Sequence, residues 1–148
     1  MRATKGYKAP GVVLAPSGWL RLARAAESAR AFAYAPYSDY AVGAAILTTR
    51  GVVAGCNVEN AAYPLCICAE AAATTAAVAQ GRTRWRAIAV ATAGPEPGAP
   101  CGACRQILME FATSALPVGL VVGGKVVRKV TLGDLLPYAF SSKMLRGG

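Results

Sequence analysis

Three cysteines and one glutamate have the types and spacing of a hydrolytic metal site. Glu70 follows Cys68 by two positions, and the run Pro100-Cys101-Gly102-Ala103-Cys104 supplies two further thiols. Three protein ligands leave the fourth tetrahedral position of zinc open to water, whereas a structural zinc normally closes with four. Water on an open zinc falls in pKa from about 15.7 toward about 7, which makes hydroxide available near neutrality. A proton carrier must then stand beside the metal. If Cys68 opens a helix, Glu70 shares its first turn and is placed for general acid and base work.

The chain has no histidine, which excludes Ser–His and Cys–His nucleophilic catalysis and leaves thiolates and carboxylates to build any transition-metal site. The seven carboxylates are Glu27, Asp39, Glu59, Glu70, Glu96, Glu110 and Asp134, and of these Glu59 and Glu70 adjoin special sequence. Two plainer readings of the cysteines stay open. Cys101 and Cys104 alone make a CxxC redox pair, with Cys68 a small buried hydrophobe. Alternatively, Cys66, two positions before Cys68, offers the fourth ligand of a closed structural zinc. Cys56 reads as strand core.

The elements that position these residues follow from pattern and punctuation. Ser17 is a candidate cap for a helix over 17–34, with Leu20, Ala23, Ala26 and Ala31 marking its face. Segments 42–49 and 52–58 are β-like runs flanking the turn signal Arg50-Gly51, so they predict a hairpin with Asn57 and Glu59 at its exit. Residues 68–80 are alanine-rich without glycine or proline and stop at Gly81, which places Cys68 at a helix N-terminus. A short strand over 87–92, a loop over 94–100 and a second helix over 101–111 repeat the strand-to-helix unit. Strands over 118–122 and 126–130 flank Gly123-Gly124, and a short helix follows near 132–136. Two successive units, each opening its helix with cysteine, bring two helix N-termini to one edge of the sheet. Their partial positive charge and free N–H groups lower thiolate pKa and help to carry three thiolates around one dication.

At 148 residues the chain reads as one domain: a loose basic tail over 1–16, carrying Arg2, Lys5 and Lys8, and a single domain over 17–148. The apolar patch at 12–15 is far shorter than a signal-peptide core of about 7–15 residues. Five cysteines, an odd number with metal-type spacing, fit a reducing cytoplasm better than a disulfide framework. No stretch reaches the roughly 18 apolar residues of a membrane span. The apolar share of 55% exceeds the usual figure of about 45–50% and predicts subunit contacts. The net charge of +9 is spread over the tail, the first helix, 82–86, 125–129 and 143–146 without an aromatic-interleaved stripe. Solvated surface therefore accounts for it better than a nucleic-acid groove.

Six motifs stand out together: Tyr34-Ala35-Pro36-Tyr37-Ser38, Val42-Gly43-Ala44-Ala45, the run from Gly55 to Tyr63, Cys68-Ala69-Glu70, the run from Pro100 to Gln106, and Leu135 to Ser141. As a set they resemble the zinc-dependent cytidine deaminases of the small homotetrameric type. The resemblance spans about residues 17–142. It implies an α/β fold, a three-layer αβα sandwich around a mixed five-stranded sheet, with one Zn²⁺ per chain held by Cys68, Cys101 and Cys104. It further implies hydrolytic deamination of cytidine and deoxycytidine by zinc-bound hydroxide, with Glu70 as proton shuttle. Asn57 and Glu59 match residues that hold the ribose hydroxyls, and the peptide groups of Ala69 and Cys101 match those that meet the base. Tyr40 stands where the family usually has phenylalanine against the pyrimidine. Tyr63 and Phe140 match residues reaching across an interface, so the resemblance implies a homotetramer.

One position departs from the family pattern. Arginine commonly follows the catalytic glutamate and donates to the zinc thiolates, but here the residue is Ala71. Losing that charge leaves the metal less acidic, and Arg105, beside Cys104, is the candidate for compensation. Two other functional classes bear on the same residues. One is a deaminase of a related aminopyrimidine, such as a blasticidin-like antibiotic, or of RNA cytosine. The other is a non-catalytic zinc-stabilised module bound to nucleic acid through its charge, which tight salt-sensitive RNA binding without turnover would reveal.

Overall fold

The computed structural model describes residues 13–145. In chain order they form α1 (Pro16–Arg30), β1 (Val42–Thr48), β2 (Gly51–Cys56), a 3₁₀ turn (Tyr63–Leu65), α2 (Ala69–Ala79), β3 (Trp85–Thr92), α3 (Gly102–Phe111), β4 (Pro117–Val122), β5 (Lys125–Thr131), α4 (Leu132–Leu135) and α5 (Ser142–Leu145). The basic residues of the expected tail lie outside the described part, and α1 already begins at Pro16, inside the range assigned to that tail. Ser17 is not its cap. Ala15 holds the N-cap position without a side-chain hydrogen bond, and Pro16 starts the helix because its fixed φ suits the first turn, where its missing N–H has no partner to lose. The helix also stops at Arg30, short of 34: Tyr34 instead bridges Val58, its N–H donating to the Asn57 carbonyl at 3.0 Å.

The five strands lie in the order β2-β1-β3-β4-β5. β1 is antiparallel to both β2 and β3, β3 is parallel to β4, and β4 is antiparallel to β5. The sheet is therefore mixed. β2 and β3 run the same way, so the connections through α2 and α3 both leave from the same edge of the sheet. Gly123 and Gly124 take positive φ values of 56° and 72° at the β4–β5 turn, as a tight hairpin turn of this type requires.

Alternation along the strands divides the core into two layers. Ala44, Ile46, Ile88, Val90, Val118 and Leu120 pack with Ala69, Ala73 and Ala77 of α2 and Leu108 of α3. On the opposite face Ala45, Leu47, Ala87, Ala89, Ala91 and Val121 meet Trp19, Leu22, Ala23 and Ala26 of α1. The result is the expected αβα sandwich. Each fully buried large side chain, such as Leu22 or Ile88, contributes about 1.5–3 kcal/mol.

Small residues on the strands set how closely the helices approach. A Cβ at Gly43 would stand 2.0 Å from the Ala26 carbonyl oxygen, and one at Gly55 would stand 2.5 Å from the Ala73 nitrogen. Helix backbone thus rests directly on strand backbone on both faces of the hairpin. This contact seats α2, and with it the N-terminus that carries Cys68.

A candidate metal centre in an open cleft

Cys68 and Cys101 are the N-cap residues of α2 and α3, each in extended conformation, and Cys104 lies in the first turn of α3. The three Sγ atoms lie within 4.8 Å of one another, with Cys68 and Cys101 separated by 4.0 Å. Tetrahedral zinc with Zn–S bonds of about 2.3 Å needs sulfurs about 3.8 Å apart, so the trio fits zinc with little adjustment. Cys66 is not in this cluster. Its Sγ accepts the Asn60 N–H at 3.3 Å, and the four-cysteine closed site therefore finds no geometric support.

The thiols differ in acidity according to their surroundings. Burial raises Cys68, and the neighbouring Cys101 adds to that effect. Burial also works to raise Cys101, but the Cys104 backbone N–H, together with hydrogen bonds involving the Cys104 and Cys68 thiols, holds it below the ordinary thiol value. Cys104, buried beneath the other two, is pushed well up, first by desolvation and then by the Glu70 charge. A dication answers this strain, since it replaces protons and neutralises thiolates that low dielectric otherwise disfavours.

Glu70 is only 4% exposed. Burial raises its carboxyl pKa against the opposing pull of its own backbone N–H and the Cys104 thiol. A carboxyl that stays protonated further toward neutrality can both take and return a proton, the property that general acid–base chemistry requires.

Around these groups lies a cleft of about 370 Å³, within the range of about 300–1,000 Å³ that holds small molecules. Cys68, Ala69, Glu70 and Cys101 line it together with Tyr40, Asn57, Glu59 and further residues. Asn57 is held by the chain beside it: its Oδ1 accepts the Val42 N–H at 2.8 Å, and its Nδ2 donates to the Tyr40 carbonyl at 2.9 Å. Glu59 accepts the Tyr37 and Ser38 N–H groups at 2.8 and 3.3 Å, and also the Ser38 hydroxyl. These bonds, led by the Ser38 side chain, hold its carboxyl below the usual value.

Tyr63 and Phe140 are not among the described residues that line the cleft. Both are exposed, at 68% and 53%, and Tyr63 packs edge-on against Tyr37 with ring centroids 5.8 Å apart. Arg105, the residue expected to compensate for Ala71, directs two of its donors to backbone carbonyls. Its Nε donates to the Pro100 carbonyl at 2.7 Å and its Nη1 to the Leu135 carbonyl at 2.8 Å, so its guanidinium ties the cysteine loop to α4. The fixed fork of Arg suits it to two carbonyls from separate segments.

Sequence reasoning passed over Ser38, Thr92 and Gln106. Thr92 lines the cleft, and its Oγ1 accepts the Gly98 N–H at 2.9 Å, anchoring the loop that leads into Cys101. Gln106 donates to the Phe140 carbonyl at 3.0 Å. Ser38 and Gln106 stood within motifs singled out for their neighbours, and their partners lie 21 and 34 positions away. No local signal pairs residues at that separation.

Fold and site together define a class: an α/β hydrolytic domain with an open three-thiolate zinc site at the edge of a mixed sheet. Residues 19–120 match the sequence model of the cytidine and deoxycytidylate deaminase zinc-binding region. The chain is 41% identical over 126 residues to the cytidine deaminase of Sporosarcina psychrophila, covering 84% of this chain and 93% of that one. It is 46% identical over 123 residues to the cytidine deaminase of Mycobacterium tuberculosis, covering 82% and 89%. Among solved structures, the cytidine deaminase of Burkholderia pseudomallei superposes with a TM-score of 0.76 at 50% identity, covering 81% of this chain and 97% of that one. This chain belongs to the zinc-dependent cytidine deaminase family. Among the described residues, no helix is long and apolar enough to cross a membrane.

Proposed function

We propose that this protein deaminates cytidine and deoxycytidine hydrolytically to uridine and deoxyuridine, in pyrimidine salvage. The observation that carries the reading is the buried Glu70 beside three converging thiols at a nucleoside-sized cleft. Zinc held by Cys68, Cys101 and Cys104 supplies a Lewis acid that makes water nucleophilic near neutral pH.

The remaining work falls to side chains and backbone. Glu70 takes the proton from the incoming water, delivers it to N3 of the pyrimidine, and then carries a proton to the 4-amino group as ammonia leaves. The peptide groups of Ala69 and Cys101 meet the base at the helix N-termini, where free N–H groups point outward. Tyr40 packs against the pyrimidine, and Asn57 and Glu59 take the sugar hydroxyls, which favours nucleoside over free base. Arg105 holds the cysteine loop in register through Pro100.

We further read the protein as a cytoplasmic homotetramer. Free cysteines, three of them in metal-ligand spacing, fit a reducing compartment, which supports the first part. Exposed Phe32, Tyr34, Tyr63, Leu65, Ile67 and Phe140 support the second, because apolar surface on this scale is costly to leave in water. In that assembly Tyr63 and Phe140 complete a neighbour's cleft. The domain boundary near residue 16 and the basic tail before it belong to the same reading.

The test is ammonia release from cytidine and deoxycytidine by the purified protein, wild type against Glu70→Gln. Activity should fall by about 10²–10⁴-fold with zinc content unchanged. Undiminished turnover in the variant would overturn the assignment of Glu70, and absence of turnover in the wild type would overturn the reaction.

A further inference from the structure

The Glu59 carboxylate is already largely engaged before any ligand arrives. Its Oε2 accepts two backbone N–H groups, from Tyr37 at 2.8 Å and Ser38 at 3.3 Å, and its Oε1 accepts the Ser38 hydroxyl. A carboxylate offers about four lone-pair positions. Three are taken, and the one left lies on Oε1.

Ser38 is itself held in place. Its Oγ accepts the Tyr40 N–H at 3.1 Å while its proton goes to Glu59. Between them Asp39 takes a positive φ of 54°, a conformation that aspartate tolerates better than most residues. The chain thereby turns so that Tyr40 N–H can return to Ser38. Ser38 and Glu59 both line the cleft, so the hydroxyl acts on the face that receives the ligand.

We infer that Ser38 is a positioning and specificity-determining residue: its hydroxyl orients Glu59 and occupies one acceptor position, so that Glu59 meets the sugar through a single hydroxyl. The inference rests on the reading of Glu59 as a sugar contact. With one acceptor position open, a ribose has no advantage over a 2′-deoxyribose at this carboxylate, because both carry one hydroxyl that can fill it. Removing the Ser38 hydroxyl reopens a second position on Oε1, and only a ribose diol brings two donors.

The test compares Ser38→Ala and Ser38→Thr with wild type in steady-state kinetics on cytidine and deoxycytidine. In Ser38→Ala the Glu59 carboxylate is no longer oriented, and KM for deoxycytidine should rise about tenfold as the charge-assisted bond from Glu59 to its single sugar hydroxyl is weakened. KM for cytidine should rise by less than about threefold, because its second hydroxyl replaces the lost donor. The kcat values and zinc content should stay near wild type, since Ser38 does not touch the reacting atoms. Ser38→Thr, which keeps the hydroxyl, should retain the wild-type ratio. Calorimetric titration with uridine and deoxyuridine gives the same comparison without turnover. Equal rises for both nucleosides, or no change for either, would overturn the inference while leaving the proposed reaction intact. Failure of the wild type to bind or turn over either nucleoside would overturn both.

Discussion

The sulfur atoms of Cys68 and Cys101 lie 4.0 Å apart, although each caps a different helix and the two residues are 33 positions apart in sequence. Two adjacent helix ends are thus placed to share one dication, and zinc held there would tie α2 to α3 as well as serve the reaction. Chelation should therefore lower the thermal midpoint as well as abolish turnover, since a ligand at 1,000 times its Kd contributes about 4.1 kcal/mol to the folded state. Cys101→Ser should lower zinc content below one per chain and reproduce the lower midpoint. Metal analysis and calorimetry with and without chelator check this; an unchanged midpoint would contradict it.

Gly55→Ala tests how the sheet seats α2. The added methyl would meet Ala73 nitrogen at 2.5 Å and Ala72 carbonyl carbon at 2.9 Å. Because helix backbone cannot rotate away as a flexible side chain can, α2 must shift. Overpacking of this kind costs about 1–3 kcal/mol. We expect a lower thermal midpoint together with weaker zinc retention in competition with a chelator. A variant that loses stability but keeps zinc affinity would show that the shift stops short of Cys68.

Gln106 links the metal helix to the C-terminal segment. It follows Cys104 by two positions and holds the Phe140 carbonyl at 3.0 Å, while Arg105 holds Leu135. Replacing Gln106 with Ala should speed hydrogen exchange across 136–141 and raise KM about fivefold, equivalent to about 1 kcal/mol, with kcat little changed. Phe140→Ala should raise KM in the same way without loss of thermal stability. Wild-type KM in both variants would mean that this segment does not reach a substrate.

Asp134 offers a check on pH and stability. Its carboxylate accepts the Thr131 N–H at 2.8 Å, and its own N–H donates to the Thr131 hydroxyl at 3.1 Å, a reciprocal cap for α4. The Thr131 backbone bond first, then its side chain, keeps the Asp134 pKa below its ordinary 3.8. A depressed folded pKa stabilises fully above the unfolded value, and that stability is lost as pH falls through the folded one. The midpoint difference between wild type and Asp134→Asn should accordingly be present near neutrality and vanish in strong acid. Thermal melts across that range measure it, and a difference independent of pH would remove the carboxylate from the explanation.

Much of this protein was legible in the linear chain because its cues act over short distances. The hairpin signal at Arg50-Gly51, the alanine-rich run after Cys68 and the Gly123-Gly124 turn each depend on neighbours a few positions away; the helix and the second turn formed where expected, while the first turn falls on 49–50 and Gly51 already opens β2, paired with Thr48. The start of α1 went to Pro16 rather than to a Ser17 cap because a fixed φ at the first turn substituted for a side-chain bond. Cys68, Glu70, Cys101 and Cys104 declared their chemistry through residue type and local spacing. Tertiary structure alone decided that Cys66 stays out of the sulfur trio, that Arg105 reaches the Pro100 and Leu135 carbonyls, and that Ser38 occupies part of Glu59. Those outcomes depend on where segments far apart in sequence come to rest, and a side chain's hydrogen-bond partner is chosen only once the sheet and its two cysteine-capped helices have brought those segments together.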